Sequence, residues 1–61
     1  MNAAPLAYRV AVAAGLIGLS ERATWRLIAC GDLTAVRVGR ATLIPRISLE
    51  QWLERKLAEQ A

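Results

Sequence analysis

VAVAAGLIGLSERATWRLIACG, residues 10–31, contains two short helical patterns separated by a tight turn. The apolar residues of the first pattern recur at helical spacing; they are Val10, Ala13, Ala14 and Ile17. Gly18 follows, where a helix end favours a left-handed residue, and Ser20 is a good N-cap for a second helix. That second helix is predicted over Glu21–Cys30, and Gly31 ends it. Because the turn is so short, the two helices must cross steeply, which predicts a helix-turn-helix.

Downstream of this unit the apolar period changes from helical to alternating, which predicts a β-hairpin within residues 33–45. The predicted strands are Val36–Val38 and Thr42–Ile44, joined by a two-residue turn at Gly39 and Arg40. This register places Arg37 opposite Thr42. A two-stranded hairpin is not stable alone, so we expect it to pack against the helices.

The C-terminal segment predicts a last helix. Ser48 and Gln51 have capping-box spacing, so we expect this helix to begin after Ser48. Its predicted buried stripe consists of Leu49, Trp52, Leu53 and Leu57. Residues 1–7 are predicted to be a flexible tail and residues 8–61 one winged helix-turn-helix domain, mainly α with a small β-hairpin.

Composition excludes several function classes. A chain of 61 residues has room for one domain, and its single cysteine, Cys30, cannot form an intramolecular disulfide. We expect Cys30 to be a small, buried helix residue. Without histidine, and with no phosphate loop or fixed carboxylate pair, the chain predicts no enzyme, no metal site, no cofactor and no small-molecule ligand. The uncharged run 10–20 is shorter than the ~20 residues that span a bilayer, so we expect a cytoplasmic protein without membrane contact.

Basic residues point to a polyanionic partner. The net charge is +3 and the pI is about 10. Arg22 and Arg26 lie four residues apart on the second helix, with Trp25 beside them, and an arginine fork can bind a guanine edge or a phosphate. We interpret this face as DNA-binding; the alternative is an ordinary solvated face, with Arg26 paired to Asp32.

The hairpin carries a second basic cluster. It consists of Arg37, Arg40 at the tip and Arg46 beyond the strands, and Gly39 allows the tip to turn. Such a wing can follow the DNA backbone or enter the minor groove. The alternative is an ordinary polar hairpin. Trp52 is expected in the core, whereas Trp25 either completes the core or stacks against DNA.

Three segments in this order resemble the excisionase family of small winged helix-turn-helix proteins, which is related to the DNA-binding domain of the MerR regulators. They are residues 8–28 apart from Val12 and Gly15, which stand where the family usually has charged residues, then GDLTAVRVGR (31–40), and IPR (44–46) with LEQWL (49–53). The resemblance implies that the second helix lies in the major groove and the wing on the adjacent minor groove. It implies helix contacts by Arg22, Thr24 or Trp25, and Arg26, and wing contacts by Arg37 and Arg40. Glu21 stands where the family often has a basic residue, which removes a phosphate contact or sets a base preference.

The resemblance also implies partners. Excisionases bind repeated attachment sites cooperatively, bend the DNA and direct a tyrosine or serine integrase toward excision. Because no further domain is expected after the last helix, we favour a phage-type excisionase over a small transcriptional regulator of the same fold. A protein-interaction module that does not bind DNA is the alternative from another class. Val12, Gly15 and Leu16 form an uncharged face on the first helix, which we expect to mediate head-to-tail self-association on DNA.

Overall fold

The computed structural model describes residues 5–60, which form three helices and a small antiparallel sheet. The elements are β1 (Ala7–Arg9), α1 (Val10–Ile17), α2 (Glu21–Ala29), β2 (Val36–Val38), β3 (Ala41–Pro45) and α3 (Arg46–Gln60). This arrangement confirms the predicted winged helix-turn-helix. Within residues 5–60, none of the helices combines the length and the apolarity that crossing a membrane requires.

The turn between α1 and α2 has the predicted chemistry. Gly18 adopts a φ of 75°, and the next amide, that of Leu19, donates to the Ala14 carbonyl at 3.0 Å. The Ser20 hydroxyl accepts a hydrogen bond from the Ala23 amide at 3.1 Å, as an N-cap does. Both ends of the turn therefore satisfy backbone groups that the helices leave open.

The C-terminal end of α2 differs from the prediction. Cys30 is the C-cap rather than a helical residue, and Gly31 follows with a φ of 90°. Cys30 is also exposed, so the prediction that it is buried is wrong. At 3.6 residues per turn it lies about 120° around the helix from the buried Thr24, which places it off the core-facing stripe.

The sheet has the strand order β1-β3-β2. Arg37 pairs with Thr42 across β2 and β3, which confirms the predicted register of the hairpin. β1 was not predicted from the sequence; it pairs Tyr8 with Ile44 on the other edge of β3. Ala7, the last residue of the predicted tail, lies in this strand, whereas residues 1–4 of that tail lie outside the described part of the chain.

The core lies between α1, β3 and the first half of α3. Its buried apolar residues are Val10, Ala13, Leu33, Ile44, Leu49 and Trp52. Tyr8, Ile17, Leu27 and Ile28 pack against them. The burial of Trp52 confirms its predicted place in the core, so α3 is fixed to the helix-turn-helix by a large aromatic side chain.

Two predictions about α3 are wrong. The helix begins at Arg46, directly after β3, and Ser48 lies inside it as a buried residue. The Ser48 hydroxyl accepts from the Thr34 amide at 2.9 Å, so it anchors the loop before β2 and does not cap the helix. Leu53 and Leu57 are 51% and 62% exposed, because α3 extends past the core that Leu49 and Trp52 reach.

Candidate nucleic-acid interface

One face of α2 carries the exposed basic side chains. Arg22 and Arg26 are both exposed, and Trp25, which lies beside this face, is 43% exposed. The opposite face of the helix is anchored by the fully buried Thr24 and by Leu27, which packs against the core. Since the buried face fixes the rotation of α2, the two arginines project away from the body of the domain.

Thr24 is not available to DNA. Its side chain is fully buried, and its hydroxyl donates to the Ser20 carbonyl at 2.9 Å. The contact that the family resemblance implied for Thr24 is therefore wrong for this chain. Trp25 is the candidate that remains at this part of the helix, because its ring is only partly covered.

The arginines of α2 are not neutralised by acids within the described part of the chain. The ion pairs among residues 5–60 both lie on α3. The alternative that paired Arg26 with Asp32 does not match this arrangement, and the Asp32 carbonyl instead accepts a hydrogen bond from Arg55 at 2.7 Å. Arg22 and Arg26 therefore keep their donors for an external acceptor.

The wing, formed by β2, β3 and their turn, presents its own arginines. Gly39 adopts a φ of 60°, which L side chains rarely adopt, and so allows the tight turn in which Arg40 is exposed. Arg37 is exposed on β2, opposite Thr42 and therefore on the same face of the sheet. The tip and one face of the wing are thus basic.

A shallow cleft of about 250 Å³ lies between α2 and the wing. We call it the interface cleft; it is lined by Arg9, Val10, Ala11, Glu21, Trp25, Arg40, Ala41 and Thr42. It brings the predicted residues Trp25 and Arg40 together from two elements. It also adds Arg9, which was not among the predicted contact residues, and Glu21, for which the resemblance implied either a lost phosphate contact or a base preference. Arg9 was missed because its place beside the wing depends on β1.

Arg46 does not join this group. It lies at the far end of β3 from the turn, roughly 15–20 Å from Arg40 at about 3.3 Å per residue. Its Nε atom is 3.8 Å from a carboxylate oxygen of Glu50, and it borders a separate groove beside Leu16 and Leu49. The structure therefore separates Arg46 from the predicted wing contacts Arg37 and Arg40.

The predicted self-association residues form an exposed surface, which we call the α1 patch (Val12, Gly15 and Leu16). Val12 and Leu16 are 54% and 59% exposed. Gly15 is exposed, and a Cβ atom added to it would meet no heavy atom within 4 Å. No other part of residues 5–60 packs against Gly15. The α1 patch is therefore open to solvent.

The family described as "Helix-turn-helix domain" matches residues 7–57, which runs from β1 to the exposed part of α3. The chain belongs to the helix-turn-helix domain family. Domains of this kind place their second helix in the major groove of DNA, so membership supports DNA binding through α2.

A curated relative of this helix-turn-helix domain is a probable excisionase from Saccharopolyspora erythraea. The two are 37% identical over 49 residues, which cover 80% of this chain and 50% of the relative. The chain thus spans about half the length of the curated relative that it matches. No solved structure matches the chain significantly.

Proposed function

We propose that this helix-turn-helix domain binds double-stranded DNA, with α2 in the major groove and the wing against the adjacent minor groove. The observation that carries the proposal is the set of exposed arginines on α2 and on the wing. Arg22 and Arg26 on α2 and Arg40 on the wing are exposed and engage no acid within residues 5–60. The major groove is about 12 Å wide, which admits one α-helix such as α2.

Salt dependence is the direct test of this proposal. Binding of the purified chain to a labelled duplex is measured by fluorescence anisotropy at a series of salt concentrations. Each phosphate neutralised contributes about −0.9 to the slope of log K against log salt, so a slope between roughly −2 and −4 is expected from the exposed arginines. Absence of binding at low salt would overturn the proposal.

We further propose that the domain acts as an excisionase, binding attachment-site DNA, bending it and directing an integrase toward excision. The named relative supports this role, because it is a probable excisionase and matches most of this chain. The test is a recombination assay with the cognate integrase and a substrate that carries both attachment sites. Excision should require the domain; specific DNA binding without an effect on excision would instead support a small transcriptional regulator.

Cooperative loading is part of this proposal. A single module of this kind buries about 600–1,000 Å² of protein surface on DNA, so one copy alone has limited specificity. The α1 patch is an apolar surface that can meet a different face of a neighbouring copy, and such a head-to-tail contact continues along the duplex. The polar outer face of α3 is our candidate for the opposing surface; it carries Glu50, Glu54, Arg55 and Lys56.

Paired substitutions test the α1 patch. Val12→Glu and Leu6→Glu each replace an exposed apolar residue with an acid, but Leu6 precedes β1 and lies outside both the α1 patch and α3. We expect Val12→Glu to abolish cooperative filling of adjacent sites and to keep single-site affinity, whereas Leu6→Glu keeps both. Independent filling of adjacent sites by the unmodified chain would refute cooperative loading and leave the DNA-binding proposal intact.

A further inference from the structure

The interface cleft contains one acidic side chain. Glu21 is the first residue of α2, is exposed, and lines the cleft together with Arg9, Arg40 and Trp25. Both ion pairs within residues 5–60 lie on α3. Neither arginine of the cleft therefore engages the Glu21 carboxylate in this part of the chain, and its oxygens remain free to accept hydrogen bonds.

A carboxylate at this position opposes general attraction to DNA. Phosphates repel it, and it reduces the favourable charge that Arg9 and Arg40 bring to the same cleft. Its place at the start of α2 suits a different contact, because the N-terminal residues of a recognition helix reach the base edges in the major groove. With α2 in the major groove as proposed, this acceptor at the start of the helix lies near base edges.

The chemistry of a carboxylate selects among the base edges. It accepts hydrogen bonds and donates none, so it is attracted to an exocyclic amino group and repelled by a carbonyl oxygen. Cytosine offers its N4 amino group in the major groove, whereas thymine offers the O4 acceptor at that place. Adenine has an amino group too, but its neighbouring N7 acceptor repels the second carboxylate oxygen. Cytosine is therefore the best partner.

We propose that Glu21 is a specificity-determining residue that accepts a hydrogen bond from the N4 amino group of one cytosine and excludes thymine at that position. This inference rests on the proposed binding of α2 in the major groove. It differs from a role in helix stability: an acidic residue in the first turn also interacts favourably with the helix dipole, but that effect changes stability and not base preference.

The experiment compares base preferences of matched variants. The full chain, Glu21→Gln and Glu59→Gln are each used to select duplexes from a library with a randomised core, and selected sequences are then measured individually. Glu59→Gln removes the same charge from an exposed position near the end of α3. Thermal melting checks that each variant is folded. Glu21→Asp, which keeps a shorter carboxylate, is the second variant at this position.

The unmodified chain and Glu59→Gln should require cytosine at one position, and thymine there should weaken binding about 5- to 150-fold. Glu21→Gln should accept both bases, because its amide group both donates and accepts, and Glu21→Asp should keep the cytosine preference. An unchanged cytosine preference in Glu21→Gln would overturn the inference, as would uniformly tighter binding of all duplexes. Failure of the unmodified chain to bind any duplex would instead overturn the proposed function, and this inference with it.

Discussion

Replacing Ser48 with alanine tests how α3 is attached to the wing. The Ser48 hydroxyl accepts from the Thr34 amide at 2.9 Å, and this contact joins α3 to the loop that leads into β2. Losing a partner of a buried backbone donor costs about 1–3 kcal/mol. Because Thr34 is itself exposed, water replaces part of the lost bond, so we expect a loss of about 1–2 kcal/mol. For a domain of this size, that lowers Tm by roughly 5–15 °C.

The control for this prediction is Gln51. If Ser48 capped the helix, the capping box would make Ser48 and Gln51 act together, and either substitution would destabilise the domain. In the structure Gln51 is exposed inside α3, so Gln51→Ala should change stability by less than about 0.5 kcal/mol. Circular dichroism gives Tm, and hydrogen exchange reports the Thr34 amide. Unchanged protection of that amide in Ser48→Ala, or equal destabilisation by both substitutions, would refute the reasoning.

Four further substitutions separate binding from folding. Arg22→Ala and Arg26→Ala should each weaken specific binding by about 1–3 kcal/mol if the replaced arginine contacts a base. Competition titrations that show no loss of affinity in either folded variant would contradict the assignment of α2 as the recognition helix. Arg40→Ala should weaken binding to specific and random duplexes alike and reduce the salt slope by about 1; a loss confined to one sequence would identify a base contact instead. Trp52→Ala should lower the free energy of unfolding by about 3–5 kcal/mol, and a cooperative melt near the original Tm would show that its burial contributes little.

Local signals predicted most of the fold. Gly18 and Ser20 define the turn between α1 and α2 through backbone chemistry that involves only neighbouring residues. Gly39 likewise fixes the turn of the wing, and with it the pairing of β2 and β3. Such features are readable from sequence because the groups that satisfy each other lie within a few positions along the chain.

Contacts between distant residues were not predictable. β1 is three residues long, too short to show an alternating pattern, and it exists because β3 offers it an edge far along the chain. Ser48 has the chemistry of an N-cap, but its hydroxyl accepts from the distant Thr34 amide. The apolar spacing of Leu53 predicted burial, yet a stripe is buried only where another element covers it.

In the candidate interface, too, local spacing predicted some features and tertiary contacts determined the others. The sequence placed Arg22 and Arg26 on one exposed face of α2, because helical spacing alone determines this. The same spacing put Thr24 on the other side of α2, with Leu27 and Ile28, and the structure buries it, although the resemblance had implied a DNA contact there. The sequence did not place Arg9 beside the wing, because that position depends on the pairing of β1 with β3.

The position of β3 in the sheet determines how the wing meets a ligand. β3 is hydrogen-bonded on both sides, and β1 on its outer edge continues without a break into α1. The wing is therefore not a loose arm, and the angle between its tip and α2 is set before any contact is made. Because α2 and the wing tip are already positioned, they lose little conformational entropy on binding. Any change of shape needed for a fit must then come from the bound molecule. For a duplex bound as we propose, that distortion is least costly at flexible pyrimidine–purine steps, so binding is expected to favour sites that contain such steps even where the domain makes no base contact.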